Sequence, residues 1–318
     1  MESKFEILPN EIYTQNISPL FKSNSKELSN LSLTNKKFYT LFQPNRLINT
    51  LLHHVVFGNH DTVEKKLREN PELMVQKSSV IDPSGRYFKH ISAFELVLWT
   101  LDVRYMGQMM LDCVPRDKKG GKIREELQIQ FNTVRDIGVT YTFENNTVTE
   151  SHFNFKPLID ALDGYIQNYT PWTDLECFKY LCSVVGKEQF KLPVHVRHHY
   201  CDPDESFTPT PEFTKKKLQR TLTLYNSLGS EEESEEECIE RIWNECLNGL
   251  GEHFIIFRSG EPGAVWTSTP LEGAVLGDCN ALVELHKQRT KDMELLQETL
   301  KCLTIESEDI PLPTPQAL

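Results

Sequence analysis

Residues 51–67 read LLHHVVFGNHDTVEKKL and predict two helices joined by a tight turn. Gly58 and Asn59 stand at the turn, because glycine reaches the backbone angles that end a helix without steric cost. Val63 and Leu67 are four residues apart and would form the apolar side of the second helix. A helix pair of this kind buries its apolar sides only against neighbouring elements, so the flanking chain should be largely helical.

The helix pair resembles the central part of an ankyrin repeat, and a second, degenerate copy follows it. Residues 82–86, DPSGR, have the composition of a turn, and residues 91–99, ISAFELVLW, would begin another helical stretch that ends near Leu111. The spacing between the copies exceeds the ankyrin period of about 33 residues. The alternative is that residues 47–112 are four packed helices without a repeat architecture.

Residues 5–42 begin with FEILPNEI and end with LSLTNKKFYTLF. Proline in the first turn of a helix fixes φ and lacks only a donor that would be unpaired there. The order of apolar, proline and aromatic positions resembles an F-box, a small helical module that docks on the Skp adaptor of a cullin-RING ubiquitin ligase. The resemblance implies that six residues face the Skp adaptor: Leu8, Pro9, Ile12, Leu20, Leu31 and Phe38. The alternative is an N-terminal helical cap folded on its own domain.

The composition indicates a folded chain that works in an aqueous compartment. The 318 residues are 39% apolar and include 17 Phe and 4 Trp, enough for a sizeable core. A net charge of −12 argues against a general affinity for nucleic acid. Neither a membrane-spanning apolar run nor a secretory signal is apparent, so we expect a cytoplasmic protein. The eight cysteines lack the spacing of a disulfide scaffold and should be reduced, mostly within the core.

The C-terminal half predicts helices and strands together. Residues 115–123, PRDKKGGKI, look like an exposed connection, followed by a short helix around 127–134. The alternation over 139–143, a turn at Asn145–Asn146 and further alternation to Phe155 predict a β-hairpin. Helices should follow over 157–169 and 172–185.

Further along, the acidic run over 230–237 should be a solvated loop, and residues 253–258, HFIIFR, should add a strand to the hairpin. Asp278 is the predicted N-cap of a long helix over 279–303. Five leucines of this helix are the expected core contacts: Leu282, Leu285, Leu295, Leu296 and Leu300.

The predicted fold class is therefore mainly α, and α+β overall. We expect an F-box-like helical module over 1–46 and ankyrin-like helix pairs over 47–114. An α+β domain with a β-hairpin and a long C-terminal helix should cover 115–306, and a proline-rich tail 307–318.

The segment over 191–201, KLPVHVRHHYC, carries the most suggestive chemistry. His195 and His199 would share a helical face, at the separation used by metal-binding histidines. A zinc protease needs a glutamate between them, whereas this chain has Arg197, which would repel a cation. A cysteine nucleophile, Cys201 with His198 or His199, remains an alternative. In the favoured interpretation the histidines are hydrogen-bonded or solvated and three aromatic residues anchor the following loop on the core: Tyr200, Phe207 and Phe213.

An F-box-like start followed by ankyrin-like helices resembles effectors that intracellular bacteria inject into eukaryotic cells to redirect host ubiquitination. The resemblance implies an adaptor that works in the host cytosol, presents a host protein substrate to the ligase and has no catalytic, cofactor or metal residues of its own. Trp99, Tyr105 and the aromatics near Trp172 are candidate partner anchors, because aromatics are enriched at interface hot spots. The alternatives are an enzyme centred on residues 195–201, possibly metal-assisted or cysteine-dependent, and a protein-binding scaffold without a ligase link.

Overall fold

The computed structural model describes residues 30–31, 33–34, 36–200, 202, 205–207, 211, 213–215, 217–218, 223–225, 232–234 and 272–308. Over these ranges the fold is mainly α-helical, with a small antiparallel sheet and a long C-terminal helix. The predicted fold class is therefore confirmed.

The first helices form the predicted pair. Helix α1 (Lys36–Val56) and helix α2 (His60–Glu69) are joined by a turn in which Gly58 has a φ of 65°. Val63 and Leu67 are fully buried on α2, as their spacing predicts. A single 3-10 turn follows α2 and leads into the sheet.

A β-hairpin lies where the sequence predicted only a turn between helices. Strands β1 (Lys77–Ile81) and β2 (Tyr87–Ser92) are antiparallel neighbours. The carboxylate of Asp82 accepts hydrogen bonds from the backbone N–H groups of Ser84 and Arg86, at 3.0 and 2.9 Å. The predicted turn is thus correct, whereas its flanking strands were missed.

The second helical stretch crosses the middle of the core. Helix α3 (Ala93–Thr100) begins at a capping box in which Ser92 and Glu95 bond each other's backbone N–H groups. It is followed by a π-helical turn (Val103–Gly107) and the short helix α4 (Gln108–Asp112). Every residue of α3 before Thr100 is buried.

Helix α5 (Lys118–Asp136) corrects the prediction of an exposed connection over 115–123 and of a short helix after it. Its N-cap is Asp117, whose side chain accepts a hydrogen bond from the backbone N–H of Gly120 at 2.9 Å. Two adjacent glycines and many charges suggest a loop, but the cap satisfies the first turn and Ile123 is buried.

Strands β3 (Val139–Phe143) and β4 (Asn146–Glu150) form the predicted hairpin. Its two turn residues are Glu144 and Asn145, with φ of 47° and 65°, one position earlier than predicted. The sheet order is β1-β2-β3-β4, so strands from both sides of residue 115 belong to one sheet.

The helix predicted over 157–169 is present at full length, whereas the one predicted over 172–185 is divided. Helix α6 (Lys156–Asn168) is followed by α7 (Asp174–Tyr180), a π-helical turn (Leu181–Val185), α8 (Gly186–Phe190) and α9 (Val194–Tyr200). Proline at position 193 precedes α9, which fits the preference of proline for helix starts.

Helix α10 (Glu272–Glu308) is the predicted long helix, but it includes Asp278. Asp278 is fully buried within the helix and is not its N-cap, so that prediction is wrong. Leu295 is 50% exposed and is also wrong as a core contact. The other four predicted leucines are buried: Leu282, Leu285, Leu296 and Leu300.

Part of the acidic run is a strand rather than a loop, because β6 (Glu232–Ser234) pairs with β5 (Thr223–Tyr225). The predicted strand over 253–258 and the tail over 309–318 lie outside the described residues. None of the helices in the described ranges carries an apolar window long enough to cross a membrane.

One hydrophobic cluster, which extends from Ile48 to Leu300, holds the described elements together. Trp99 lies fully buried in it and contacts the rings of Phe88, Tyr141 and Phe153 edge to face, at centroid distances of 5.1 to 5.9 Å. Three described cysteines are free thiols in buried positions, as predicted: Cys113, Cys177 and Cys279.

Candidate functional site

Helix α9 carries the histidines that the sequence singles out, and all seven of its residues are buried. His195 and His199 are one turn apart and lie on one face, as predicted. Their shared face points at helix α10, where the guanidinium of Arg289 contacts both rings. The packing of α9 against α10 therefore forms a buried polar cluster.

Arg289 connects three elements through one side chain. Its Nη1 donates to the backbone oxygen of Leu101 at 2.9 Å and to Nδ1 of His195 at 2.8 Å. Its Nη2 lies 3.1 Å from Nδ1 of His199. A guanidinium only donates hydrogen bonds, so both Nδ1 atoms must accept. In this arrangement the neutral form of each ring carries its hydrogen on Nε2.

Carboxylates surround this histidine–arginine cluster at a longer range. Asp102 Oδ1 lies 3.8 Å from Nδ1 of His195, and Glu205 Oε2 lies 3.9 Å from Nε2 of His199. Both carboxylates belong to residues that are less than a tenth exposed. They offset the charge of the buried guanidinium, which would otherwise be costly to desolvate.

An ion pair joins the π-helical turn to α10 about one turn further along α10. Arg104 of the π-helical turn donates to both carboxylate oxygens of Asp292 on α10, at 2.8 and 2.7 Å. Two-pronged arginine–carboxylate contacts are stronger and more directional than single hydrogen bonds. The pairing of Arg104 with Asp292 keeps the π-helical turn in register with α10.

Tyr105 packs against His199 in the same cluster. Its ring meets the ring of His199 edge to face at a centroid distance of 5.7 Å. Burial raises the pKa of Tyr105 to about 12, so the phenol stays protonated at physiological pH. It is therefore not poised as a base or a nucleophile.

The geometry bears on the metal and cysteine alternatives in different ways. A cation bound through the Nδ1 atoms of His195 and His199 would have to displace Arg289, which holds both. The favoured interpretation of hydrogen-bonded histidines is confirmed, and three aromatic anchors are buried as predicted: Tyr200, Phe207 and Phe213. Cys201 lies outside the described residues, so its predicted pairing with a histidine stays untested.

Two of the six residues that the F-box resemblance assigns to the Skp adaptor are described. Phe38 is 3% exposed and Leu31 is half-buried. A contact between Phe38 and an adaptor would thus require local rearrangement. Leu33, between them in sequence, is 71% exposed. The other four lie outside the described residues: Leu8, Pro9, Ile12 and Leu20.

The proposed aromatic anchors are mostly interior residues. Trp99 is fully buried and Tyr105 is 4% exposed, so neither is available to a partner and both predictions are wrong. Trp172 is half-buried and packs on Tyr180 at a ring distance of 4.9 Å. Aromatics serve cores and interfaces alike, so a single sequence could not separate the two uses.

A smaller polar group lies on the surface at the start of α2. His60, Asp61 and Glu64 bring one ligand atom each within 4.8 Å of the others, beside a pocket of about 280 Å³. Asp61 is paired with Lys217, and Glu64 with Arg68 at 2.6 Å. Both carboxylates are thus already neutralised by side chains. Sequence reasoning missed this group, although a histidine and a glutamate four apart on a helix could have indicated it.

Arg289 is the main residue of the cluster that sequence reasoning missed. It stands in a stripe of α10 whose other members are apolar or buried, at positions 282, 285, 289, 292 and 296. A charged residue within an apolar helical stripe signals a buried, paired charge. That signal was present in the sequence, but it does not identify the partner.

Comparison with known proteins shows that the chain belongs to the family of a Coxiella burnetii protein described as uncharacterized protein CBUA0006. The two are 32% identical over 275 residues, which cover 80% of this chain and 76% of that protein. A family model described as the CBUA0006 C-terminal domain matches residues 157–300. These residues include both histidines and Arg289. Neither match names an F-box or an ankyrin repeat, and no solved structure matches.

Proposed function

We infer that this protein is a non-catalytic adaptor of a Skp–cullin–F-box ubiquitin ligase, and that it presents a host protein for ubiquitin transfer. The observation that carries the proposal is the stretch over 5–42, in which a Leu-Pro start and apolar residues at helical spacing resemble an F-box. Such an adaptor raises the local concentration of its target beside the ligase. It needs binding surfaces and no nucleophile of its own.

The described end of this stretch supports the proposal. Leu33 is 71% exposed, so it presents an apolar side chain to solvent next to the predicted contact residue Leu31. Phe38 is buried, so it would reach the adaptor only after a local rearrangement, and the proposal rests on the exposed part of the stretch.

The chemistry of the interior also fits a binding role better than a catalytic one. His195 and His199 each accept a hydrogen bond from Arg289 at one ring nitrogen. Asp292 is held by Arg104. General base catalysis needs an accessible lone pair within hydrogen-bond reach of a substrate, and these acceptors already bond to arginine side chains.

The family relationship gives the proposal its cellular setting. The relative is a bacterial protein, whereas cullin-RING ligases belong to eukaryotic cells. An adaptor of this family would therefore act in the cytosol of a host cell after delivery, as an effector.

A binding experiment with the full-length protein and purified Skp adaptor tests the proposal. The wild type should bind, and Leu8→Ala combined with Pro9→Ala should weaken binding at least tenfold. Truncation of central interface anchors typically costs about 2 kcal/mol or more each. Leu33→Ala should weaken binding to a smaller degree.

Ile137→Ala is the matched control, because Ile137 is an aliphatic residue that is 72% exposed and lies outside the F-box-like stretch. It should bind like the wild type. Absence of binding by the folded wild type would refute the adaptor assignment. Equal losses in Leu33→Ala and Ile137→Ala would show that the described end of the stretch makes no specific contact.

A further inference from the structure

Arg289 holds helix α10 to two other parts of the chain at one point. It bonds the backbone at Leu101, before the π-helical turn, and the rings of His195 and His199 on α9. Two of the acceptors that contact it are imidazole nitrogens. These two acceptors, unlike a carbonyl oxygen, can be lost by protonation close to neutral pH.

The position of the hydrogen on each ring determines where a further proton can bind. Because Nδ1 accepts from Arg289, the hydrogen of each neutral ring is on Nε2. A second proton can then bind only at Nδ1, the atom that faces the guanidinium at 2.8 Å in His195 and 3.1 Å in His199. Protonation must therefore break the hydrogen bond and place two positive groups in contact.

The other charged groups around the rings oppose each other. Asp102 and Glu205 approach at 3.8 and 3.9 Å and would favour a charged imidazole. Arg289 is closer and opposes it, and Arg104 is neutralised by Asp292. On α9 itself Arg197 is buried and positive, and His198 is 7% exposed. Three uncharged rings also pack against His199: Tyr105, Phe207 and Phe213.

We propose that His195, His199 and Arg289 form an acid-sensitive latch, which fastens α10 to α9 and to Leu101 at neutral pH and releases α10 when the histidines are protonated. The latch is closed when both rings are neutral. An opened latch exposes the rings to water, where they bind protons freely. Acid therefore shifts the equilibrium toward the open form.

The size of the effect follows from proton linkage. An unperturbed imidazole titrates near pH 6.5, so at pH 5 an opened state that binds one more proton than the closed state is favoured about 30-fold more than at neutral pH. Two histidines raise this factor to about 1,000 if both open together. The stabilisation is complete above pH 7 and is lost progressively below 6.5.

Hydrogen exchange of the full-length protein between pH 7.5 and 5 tests the latch, with rates divided by the intrinsic chemical rate at each pH. Amides over 285–296 of α10 should open at least tenfold more often at pH 5. Amides over 139–150 in the β3–β4 hairpin serve as the reference, because no latch residue belongs to it. The double variant H195Q/H199Q keeps amide acceptors that do not titrate, so its exchange should lose most of this acid response.

His90→Gln is the control variant, since His90 is an exposed histidine of β2 and should leave the response intact. Nitrogen-15 spectra of the wild-type imidazoles give an independent readout should the double variant fold poorly. They should show neutral, Nε2-protonated rings for His195 and His199 at pH 6. Rings that are charged at pH 6, or an acid response equal in α10 and the hairpin, would overturn the proposal.

Discussion

Two neighbouring glycines at the start of α5 should respond to the same substitution in opposite directions. An alanine Cβ at Gly120 would lie 1.7 Å from the carbonyl oxygen of Pro115 and 2.6 Å from its carbonyl carbon. An alanine Cβ at Gly121 would meet nothing within 4 Å. Both positions are helical, so the intrinsic preference for alanine over glycine is similar at both.

The structure gives the magnitudes. At Gly121 the gain should approach the helix-interior value of about 0.5–1 kcal/mol. At Gly120 the backbone near Pro115 must move, which threatens the cap from Asp117 and the bond from Arg124 to the Pro115 oxygen at 2.8 Å. Loss of a cap costs about 1 kcal/mol, and overpacking typically about 1–3 kcal/mol. We expect Gly120→Ala to lower the free energy of unfolding by about 2 kcal/mol.

Urea unfolding followed by tryptophan fluorescence and by far-ultraviolet circular dichroism measures both variants against the wild type. The free energies of unfolding should differ by about 3 kcal/mol between the two alanine variants. If Gly120→Ala is neutral or stabilising, the close approach of the Pro115 carbonyl is wrong. A destabilised Gly121→Ala would instead show that the space beside this position is filled.

Two further predictions concern the interior. Asp292→Asn should lower the free energy of unfolding by about 2 kcal/mol, because it leaves Arg104 without its carboxylate partner in a partly buried site. Urea unfolding measures this loss, and a double-mutant cycle with Arg104→Gln measures the coupling energy between the two side chains. Burial, together with the carboxylate of Asp163, which accepts a hydrogen bond from the thiol, raises the pKa of Cys279 to about 12. Iodoacetamide should therefore alkylate Cys279 about a thousandfold more slowly in the folded protein at pH 8 than in urea. Mass spectrometry measures both rates, and equal rates would contradict the buried position of Cys279.

Elements with a strong local signal could be predicted from the sequence. The end of α1 requires a positive φ, which Gly58 adopts without strain. The spacing of Val63 and Leu67 on α2 predicts a buried face without any knowledge of distant contacts. The β3–β4 hairpin shows the same, with an error of one residue at the turn. Glu144 takes a positive φ that asparagine tolerates better, so local preference pointed to the wrong pair of residues.

Elements that depend on tertiary contacts could not be predicted. Strand β1 has no buried residue besides Val80, and it exists because β2 and α1 pack against it. The first turns of helix α5 look like a loop in the sequence because Gly120 and Gly121 disfavour helix, yet the carbonyl of Pro115 needs the space that a side chain at Gly120 would fill. In both cases packing overrides a weak local preference.

The candidate site shows the same boundary between local and distant information. The spacing of His195 and His199 was enough to place both rings on one face, because helical geometry is local. Arg289 lies 94 positions after His195 and 90 after His199, and its choice of acceptors follows from how α10 packs against α9. The residue types between the histidines argued against a zinc protease. The structure adds a stronger reason, because a guanidinium already occupies the place of a cation at both Nδ1 atoms.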